Sequence, residues 1–206
     1  MSRLVLVIGT KRFSSWSMRP WLALKQAGLP FDEVEITLRQ PDTKQRILQH
    51  SPTGKVPLLQ DGALKIWDSL AICEYVAEAA CAVPLWPENR GARAVARAVA
   101  AEMHSGFQAL RQNMPMDVCD KIDLAQIPLE VQADIDRITA LWRDCRAQYG
   151  AGGDFLFGRW SIADAMFAPV VTRFITYGVA LDPVSQAYVD ATMALPALLD
   201  WIKAAE

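Results

Sequence analysis

Every segment that reads as a β-strand in this 206-residue chain lies before residue 70, and every long periodic segment after that point reads as helix. Such a split excludes a single uniform architecture and predicts a small α/β unit followed by an all-helical one. Leu4-Val5-Leu6-Val7-Ile8 is a continuous apolar run stopped by Gly9, the pattern of a strand covered on both faces. A helix is predicted over 15–26, with Pro20 tolerated in its first turn and Gly28 past its end. Val34, Ile36 and Leu38 alternate with Glu35 and Thr37, which marks a half-buried second strand, and 42–49 reads as a short polar helix. Val56–Leu59, the turn Gln60-Asp61-Gly62 and Ala63–Ile66 predict a tight hairpin, because Asp-Gly between short apolar runs is a strong turn signal. Asp68 or Ser69 then caps a helix that runs to about Ala80. The order is βαβαββα.

Beyond Val83-Pro84-Leu85-Trp86-Pro87 no strand is convincing. Val95, Val99, Met103, Gly106 and Leu110 predict one face of a single long helix. Val131, Ile135, Ile138, Trp142, Cys145 and Tyr149 step by four and three, a clean helical period. Further helices are predicted over 161–178, 183–193 and 196–204. The chain therefore divides into residues 1–80, a linker at 81–88 and a helical part at 89–206.

Apolar residues make up 52% and charged residues 21%, an ordinary globular balance. A formal charge of −2 gives no reason to expect nucleic acid or an anionic membrane as partner. The run Leu4–Ile8 is too short for a signal peptide core or a membrane span, so the expected location is the cytoplasm. Cys73, Cys81, Cys119 and Cys145 form no CxxC pair, and with two histidines no metal site is expected. All four cysteines are read as buried, reduced thiols.

Three local features carry chemistry. In Phe13-Ser14-Ser15-Trp16-Ser17-Met18-Arg19 a strand hands over to a helix whose first N–H groups favour an anion, and a hydroxyl there can donate to a thiolate. Lowering a thiol pKa by about two units takes roughly 2.7 kcal/mol, within reach of one charge-assisted bond plus the helix dipole. The plainer reading of Ser14, Ser15 and Ser17 is loop and cap. In Ser51-Pro52-Thr53-Gly54-Lys55-Val56-Pro57 a proline opens a strand that must pair, which points to a cis Val56–Pro57 bond leaving the Val56 N–H and C=O open to a peptide ligand. Asp68-Ser69 opens a helix and can offer a hydroxyl and amides to a carboxylate, or serve as a plain N-cap.

Together these segments resemble the glutathione transferase superfamily: SSWSMRPWLAL (14–24), SPTGKVPLL (51–59), WDSLAICEYVAE (67–78) and FLFGRWSIADAMFAP (155–169). In the last, Ser161-Ile162-Ala163-Asp164 is a capping box that marks the fold rather than the site. The resemblance implies a thioredoxin-like N-terminal domain, a helical C-terminal domain, glutathione as co-substrate or cofactor, and a homodimer. It places Lys55 beside the glycine end of glutathione, Val56 and Pro57 against the cysteinyl backbone, Asp68 and Ser69 at the γ-glutamyl end, and Ser14, with Ser15 beside it, at the sulfur. The serine pattern is most similar to the zeta class, which includes maleylacetoacetate isomerases. Ser14, Ser15 and Arg19 match that class, whereas Trp16 replaces its cysteine and Pro20-Trp21 its valine-arginine. The class also carries a substrate-binding arginine where this chain has Thr176, one turn after Arg173. His104, Phe107 and Arg111, with Trp16 and Met18, are the candidates for the electrophile pocket; Met103, Met114, Met116 and Trp160 offer further apolar surface. The resemblance implies a transferase acting on a small, apolar electrophile. A glutathione-dependent cis–trans isomerase is the competing activity, and a non-catalytic binding module the competing class. Retention of both Ser14 and Ser69 favours an enzyme, and a serine where a reactive cysteine would sit disfavours a thiol–disulfide oxidoreductase.

Overall fold

The computed structural model describes residues 3–80, 82–124 and 126–206. Its sheet has four strands in the order β2-β1-β3-β4. The central β1 (Leu4–Gly9) runs parallel to β2 (Phe31–Ile36) and antiparallel to β3 (Leu58–Asp61), which turns at Gly62 into β4 (Leu64–Trp67). Leu6, Val7 and Ile8 are all 0% exposed, as a strand covered on both faces requires. Leu6 and Ile8 join the main core with α1 (Ser15–Gln26) and α3 (Ser69–Ala79), while Val7 meets Ile36, Ile47 and Leu58 beneath α2 (Thr43–Leu48). The Val56–Pro57 bond is cis, and β3 begins after it at Leu58 rather than at Val56.

The helical part comprises α4 (Arg90–Ser105), α5 (Gln108–Asn113), α6 (Leu129–Tyr149), α7 (Ile162–Thr176), α8 (Pro183–Met193) and α9 (Pro196–Lys203). The single helix expected through Leu110 is two helices. Gly106 is extended and Phe107 left-handed (φ 61°), and a Cβ on Gly106 would lie 2.9 Å from the Glu102 carbonyl oxygen. Arg111 reaches back to the carbonyls of Met103 and Gly106 and satisfies groups that the break exposes.

Helix α7 is buried along nearly its whole length and packs against both α1 and α4, so one apolar core runs through strands and helices alike. Its first turn carries the predicted capping box: Asp164 accepts from the Ser161 N–H at 2.8 Å and from the Leu156 N–H at 3.1 Å. Cys73 and Cys145 are buried as expected, and burial pushes the Cys145 thiol up to about 12. Cys119 corrects the expectation: it is exposed, because the loop turns Met114, Met116 and Val118 toward the core instead, and its thiol donates to the Ala205 carbonyl at 3.3 Å. Cys81 lies outside the described residues. No described helix is long and apolar enough to cross a membrane.

Candidate functional site

The loop from Thr10 to Ser14 carries the chain from β1 into α1 and is held from both sides. Ser14 Oγ donates to Ser17 Oγ at 2.7 Å, and Ser17 Oγ accepts the Gly9 N–H at 3.1 Å, tying the first turn of α1 to the end of β1. From the helical part, Trp201 Nε1 donates to the Lys11 carbonyl at 3.0 Å, and Arg12 makes a bidentate pair with Asp117 at 2.8 Å in each bond.

Beside this loop lies a cavity of about 650 Å³, in the range of small-molecule sites. Residues 53–57 form one wall and residues 67–69 another, while Trp16 and His104 close it from α1 and α4. The cavity thus brings together Lys55, Val56, Pro57, Asp68, Ser69, Trp16 and His104, all predicted from sequence. Ser14 and Ser15 are nearly buried at the start of α1, next to Trp16 but not among the lining residues. Met18 corrects the expectation: it is 0% exposed in the core, two residues from Trp16 and therefore on the opposite side of the helix. Phe107 is likewise packed into the core. Trp160 lines a different cavity of about 560 Å³ between residues 84–89 and 157–161.

The electrostatics of the cavity wall centre on Trp16, a residue that is 36% exposed. The Arg19 guanidinium carbon lies 4.4 Å from its ring centroid and that of Arg111 lies 4.8 Å away, while the His104 ring meets it edge-on at 5.3 Å. Asp68 holds a positive φ of 74°, a conformation costly for a side-chain-bearing residue that recurs at ligand clamps. One of its oxygens accepts the Leu70 and Ala71 N–H groups at 2.9 and 3.3 Å, and the other faces His104 Nε2 at 3.1 Å. Burial lowers the His104 pKa; Asp68 opposes this, and Arg19 and Arg111 add to it. The buried Nδ1 of His104 has no partner among the described residues.

Behind Trp16 and Ser69, Arg19 is fully buried and donates from Nη1 to Ser69 Oγ at 3.5 Å. Its pKa falls to about 9, first through burial and then through Arg111 and Arg173, with Cys73 and Asp68 acting the other way. Arg173 itself donates to the carbonyls of Met114 and Pro169 at 2.8 and 3.1 Å, and Thr176 donates to the Asp117 carbonyl at 2.7 Å. Neither lines the cavity. Sequence reasoning passed over Trp67 and Thr53 as lining residues and Ser17 as the anchor of Ser14. The available signals were the position of Trp67 before Asp68 and the i, i+3 spacing of the two serines.

Residues 13–79 match the family model described as the glutathione S-transferase N-terminal domain, and residues 93–204 match that of the C-terminal domain. A probable maleylacetoacetate isomerase from Caenorhabditis elegans is 28% identical over 173 residues, covering 82% of this chain and 78% of that protein. The maleylacetoacetate isomerase of Rattus norvegicus is 27% identical, with 82% and 77% covered. Among solved structures, a Burkholderia glutathione transferase homologue with bound glutathione superposes with a TM-score of 0.75 at 25% identity, covering 98% of this chain and 97% of that one. A maleylpyruvate isomerase described as a bacterial zeta-class transferase has a TM-score of 0.76 at 23% identity, with 98% of each chain covered.

Proposed function

The chain belongs to the glutathione S-transferase family, and on that premise we propose that it binds glutathione in the 650 Å³ cavity and delivers its thiolate to an electrophilic, apolar substrate. The observation that carries this reading is that one cavity gathers residues 53–57 and residues 67–69 beside the start of α1. Asp68 and Ser69 take the γ-glutamyl end, the Val56 backbone pairs with the cysteinyl residue, and Lys55 takes the glycine carboxylate. The sulfur then falls toward Ser14. On binding, the Ser14 hydroxyl turns from Ser17 to the sulfur and donates to it, stabilising the thiolate while the thiol proton leaves to solvent. The thiolate forms a C–S bond, and the leaving group departs with the displaced electron pair. Such chemistry serves the detoxification of electrophiles.

A second reading, glutathione-dependent cis–trans isomerisation, is favoured by one observation: relatives named maleylacetoacetate isomerase match over 82% of this chain. In that reaction the thiolate adds to a conjugated double bond, the new single bond rotates, and elimination regenerates glutathione.

The chain works as a homodimer in this reading, supported by Leu64 and Trp67, each about half exposed on the edge strand β4. Free thiols at Cys73, Cys119 and Cys145 support a reducing compartment, the cytoplasm.

Retention on immobilised glutathione, followed by conjugation of an aromatic halide by wild type, Ser14→Ala and Ser15→Ala, tests the reading. Retention of the wild type and loss of turnover in Ser14→Ala are expected. Lack of retention overturns the glutathione assignment, and damage confined to Ser15→Ala transfers the role to Ser15. Retention with no turnover of halides or dienes identifies a binding module.

A further inference from the structure

Every carbonyl from Thr10 to Ser14 is taken, but not from one side. Thr10 accepts the Phe13 and Ser14 N–H groups at 3.0 and 2.9 Å, Phe13 accepts the Ser15 N–H, and Ser14 accepts the Met18 N–H. The two carbonyls between them are claimed by the helical part: Lys11 accepts from Trp201 Nε1 at 3.0 Å, and Arg12 accepts the Val118 N–H at 3.3 Å. The loop thus makes its own turn, while its position is set from the other part of the molecule.

The hold at residue 118 is reinforced by side chains. Arg12 forks onto both carboxylate oxygens of Asp117 at 2.8 Å each, with Asp120 at 3.7 Å beyond. Asp117 is fixed in turn, since its Oδ1 accepts the Cys119 N–H at 3.1 Å and its carbonyl accepts from Thr176 at 2.7 Å. The whole stretch 114–122 is strapped to the end of α7. Met114 accepts from Arg173 Nε at 2.8 Å, Pro115 from Tyr177 Oη at 3.0 Å, and the Ile122 N–H donates to Thr176 at 2.8 Å. Helix α7, buried almost throughout, is a rigid reference for this strap. The Arg12 and Asp117 side chains are 38% and 15% exposed, and a pair so open to water adds little stability. Its fork geometry fixes orientation instead.

We propose that Asp117 is a positioning residue that, through the Arg12 fork, holds the Ser14 hydroxyl in register with the sulfur of bound glutathione. The inference rests on the role proposed for Ser14 and deepens it by stating what fixes that hydroxyl from the helical part. Position matters here because a misplacement of about 1 Å can cost on the order of a hundredfold in rate. In the proposed mode glutathione is held by residues 53–57 and 67–69, which lie in other segments, so binding and thiol activation separate.

Glutathione affinity is measured by calorimetric titration, and kcat with an aromatic halide is followed against pH at saturating glutathione, where the profile reports the bound thiol. Wild type, Asp117→Ala, Arg12→Ala and the double variant are compared. Affinity is expected to stay within about threefold of wild type in all of them. The inflection should rise by about one pH unit in each, with kcat at about pH 7 down about tenfold and recovering in alkali. A merely structural role would lower kcat by the same factor at every pH, and that result overturns the inference. The two truncations also change the local charge in opposite directions: losing the Asp117 charge alone favours a thiolate, and losing the Arg12 charge alone disfavours it. Shifts of opposite sign would assign the effect to the field rather than to position, and overturn the inference. The double variant should match the single ones, because each removes the same fork; additive losses contradict this. Arg12→Lys keeps the charge without the fork and is expected to shift the profile the same way. Failure of every variant to fold would assign the pair to the fold and overturn the inference. A wild type that binds no glutathione, or a Ser14→Ala profile like that of wild type, sinks the underlying reading. A profile that moves in Ser14→Ala but in none of the pair variants sinks the inference alone.

Discussion

Asp164 and Arg19 are both 0% exposed and both charged, yet the chain treats them in opposite ways. The Asp164 carboxylate closes the capping box of α7 with three donors around it: the Ser161 N–H at 2.8 Å, the Ser161 hydroxyl at 3.0 Å and the Leu156 N–H at 3.1 Å. Arg19 has one bond at 3.5 Å and two nitrogens without partners. The first site is complete before any ligand arrives, so its charge serves the fold. The second leaves two donors of a buried guanidinium without acceptors among the described residues, so its charge adds little to the fold. Even so, burial outweighs the bonds at Asp164 and pushes its pKa up to about 6.

Four changes break or sharpen that contrast. The largest effect is expected at Asp164→Ala, which strands two buried N–H groups and frays α7 at the centre of the core. Chemical denaturation should show a loss of roughly 3 kcal/mol or more. A loss under about 1 kcal/mol would mean that the box is dispensable.

Ser14→Ala comes next. Removing one donor aimed at developing negative charge lowers turnover by about a hundredfold in comparable sites, so conjugation should fall on that scale while glutathione affinity moves little. Steady-state kinetics on an aromatic halide separate the two terms, and a change confined to KM would contradict the role.

At Arg19→Met the account expects the reverse of Asp164→Ala: chemical denaturation should show stability unchanged or higher, because an apolar side chain replaces a buried charge with two unpartnered nitrogens.

The smallest effect is the pH dependence of stability, where two groups oppose each other. The folded pKa of Asp164 is raised from 3.8 to about 6, so its contribution is present below the unfolded value and lost as pH rises through about 6. The folded pKa of His104 is lowered from 6.5, so its contribution is present above that value and lost as pH falls through the folded one. Urea denaturation from about pH 4 to about pH 8 should show His104→Gln flattening the acid-side loss and Asp164→Asn removing the decline on the way to neutrality.

Much of the fold was legible because its signals are local. The run Leu4–Ile8, the Asp61-Gly62 turn and the Ser161–Asp164 box each specify an element within a few residues. The break at Gly106 was hidden because α4 and α5 bury Met103 and Leu110 in the same core, so the apolar stripe continues across it. At the cavity, the segments 53–57 and 67–69 could be placed because their proline, cap and hydroxyl marks are local in the sequence. Met18 was misplaced because apolar composition does not say which face of α1 is turned inward. Arg19 was legible only as a match to a pattern. Its burial follows from its i, i+3 offset beneath Trp16, and nothing in a lone arginine announces that its partners are missing.

The central claim is that the cavity binds glutathione and that the start of α1 activates its thiol. Its most direct test is the ultraviolet thiolate absorbance of protein-bound glutathione, followed as a function of pH in wild type and Ser14→Ala. The account predicts that the bound thiol ionises about two pH units below free glutathione in wild type, and that Ser14→Ala returns it most of the way to the free value. A bound thiol that titrates like the free one in wild type, or a depressed value that Ser14→Ala leaves untouched, would contradict it.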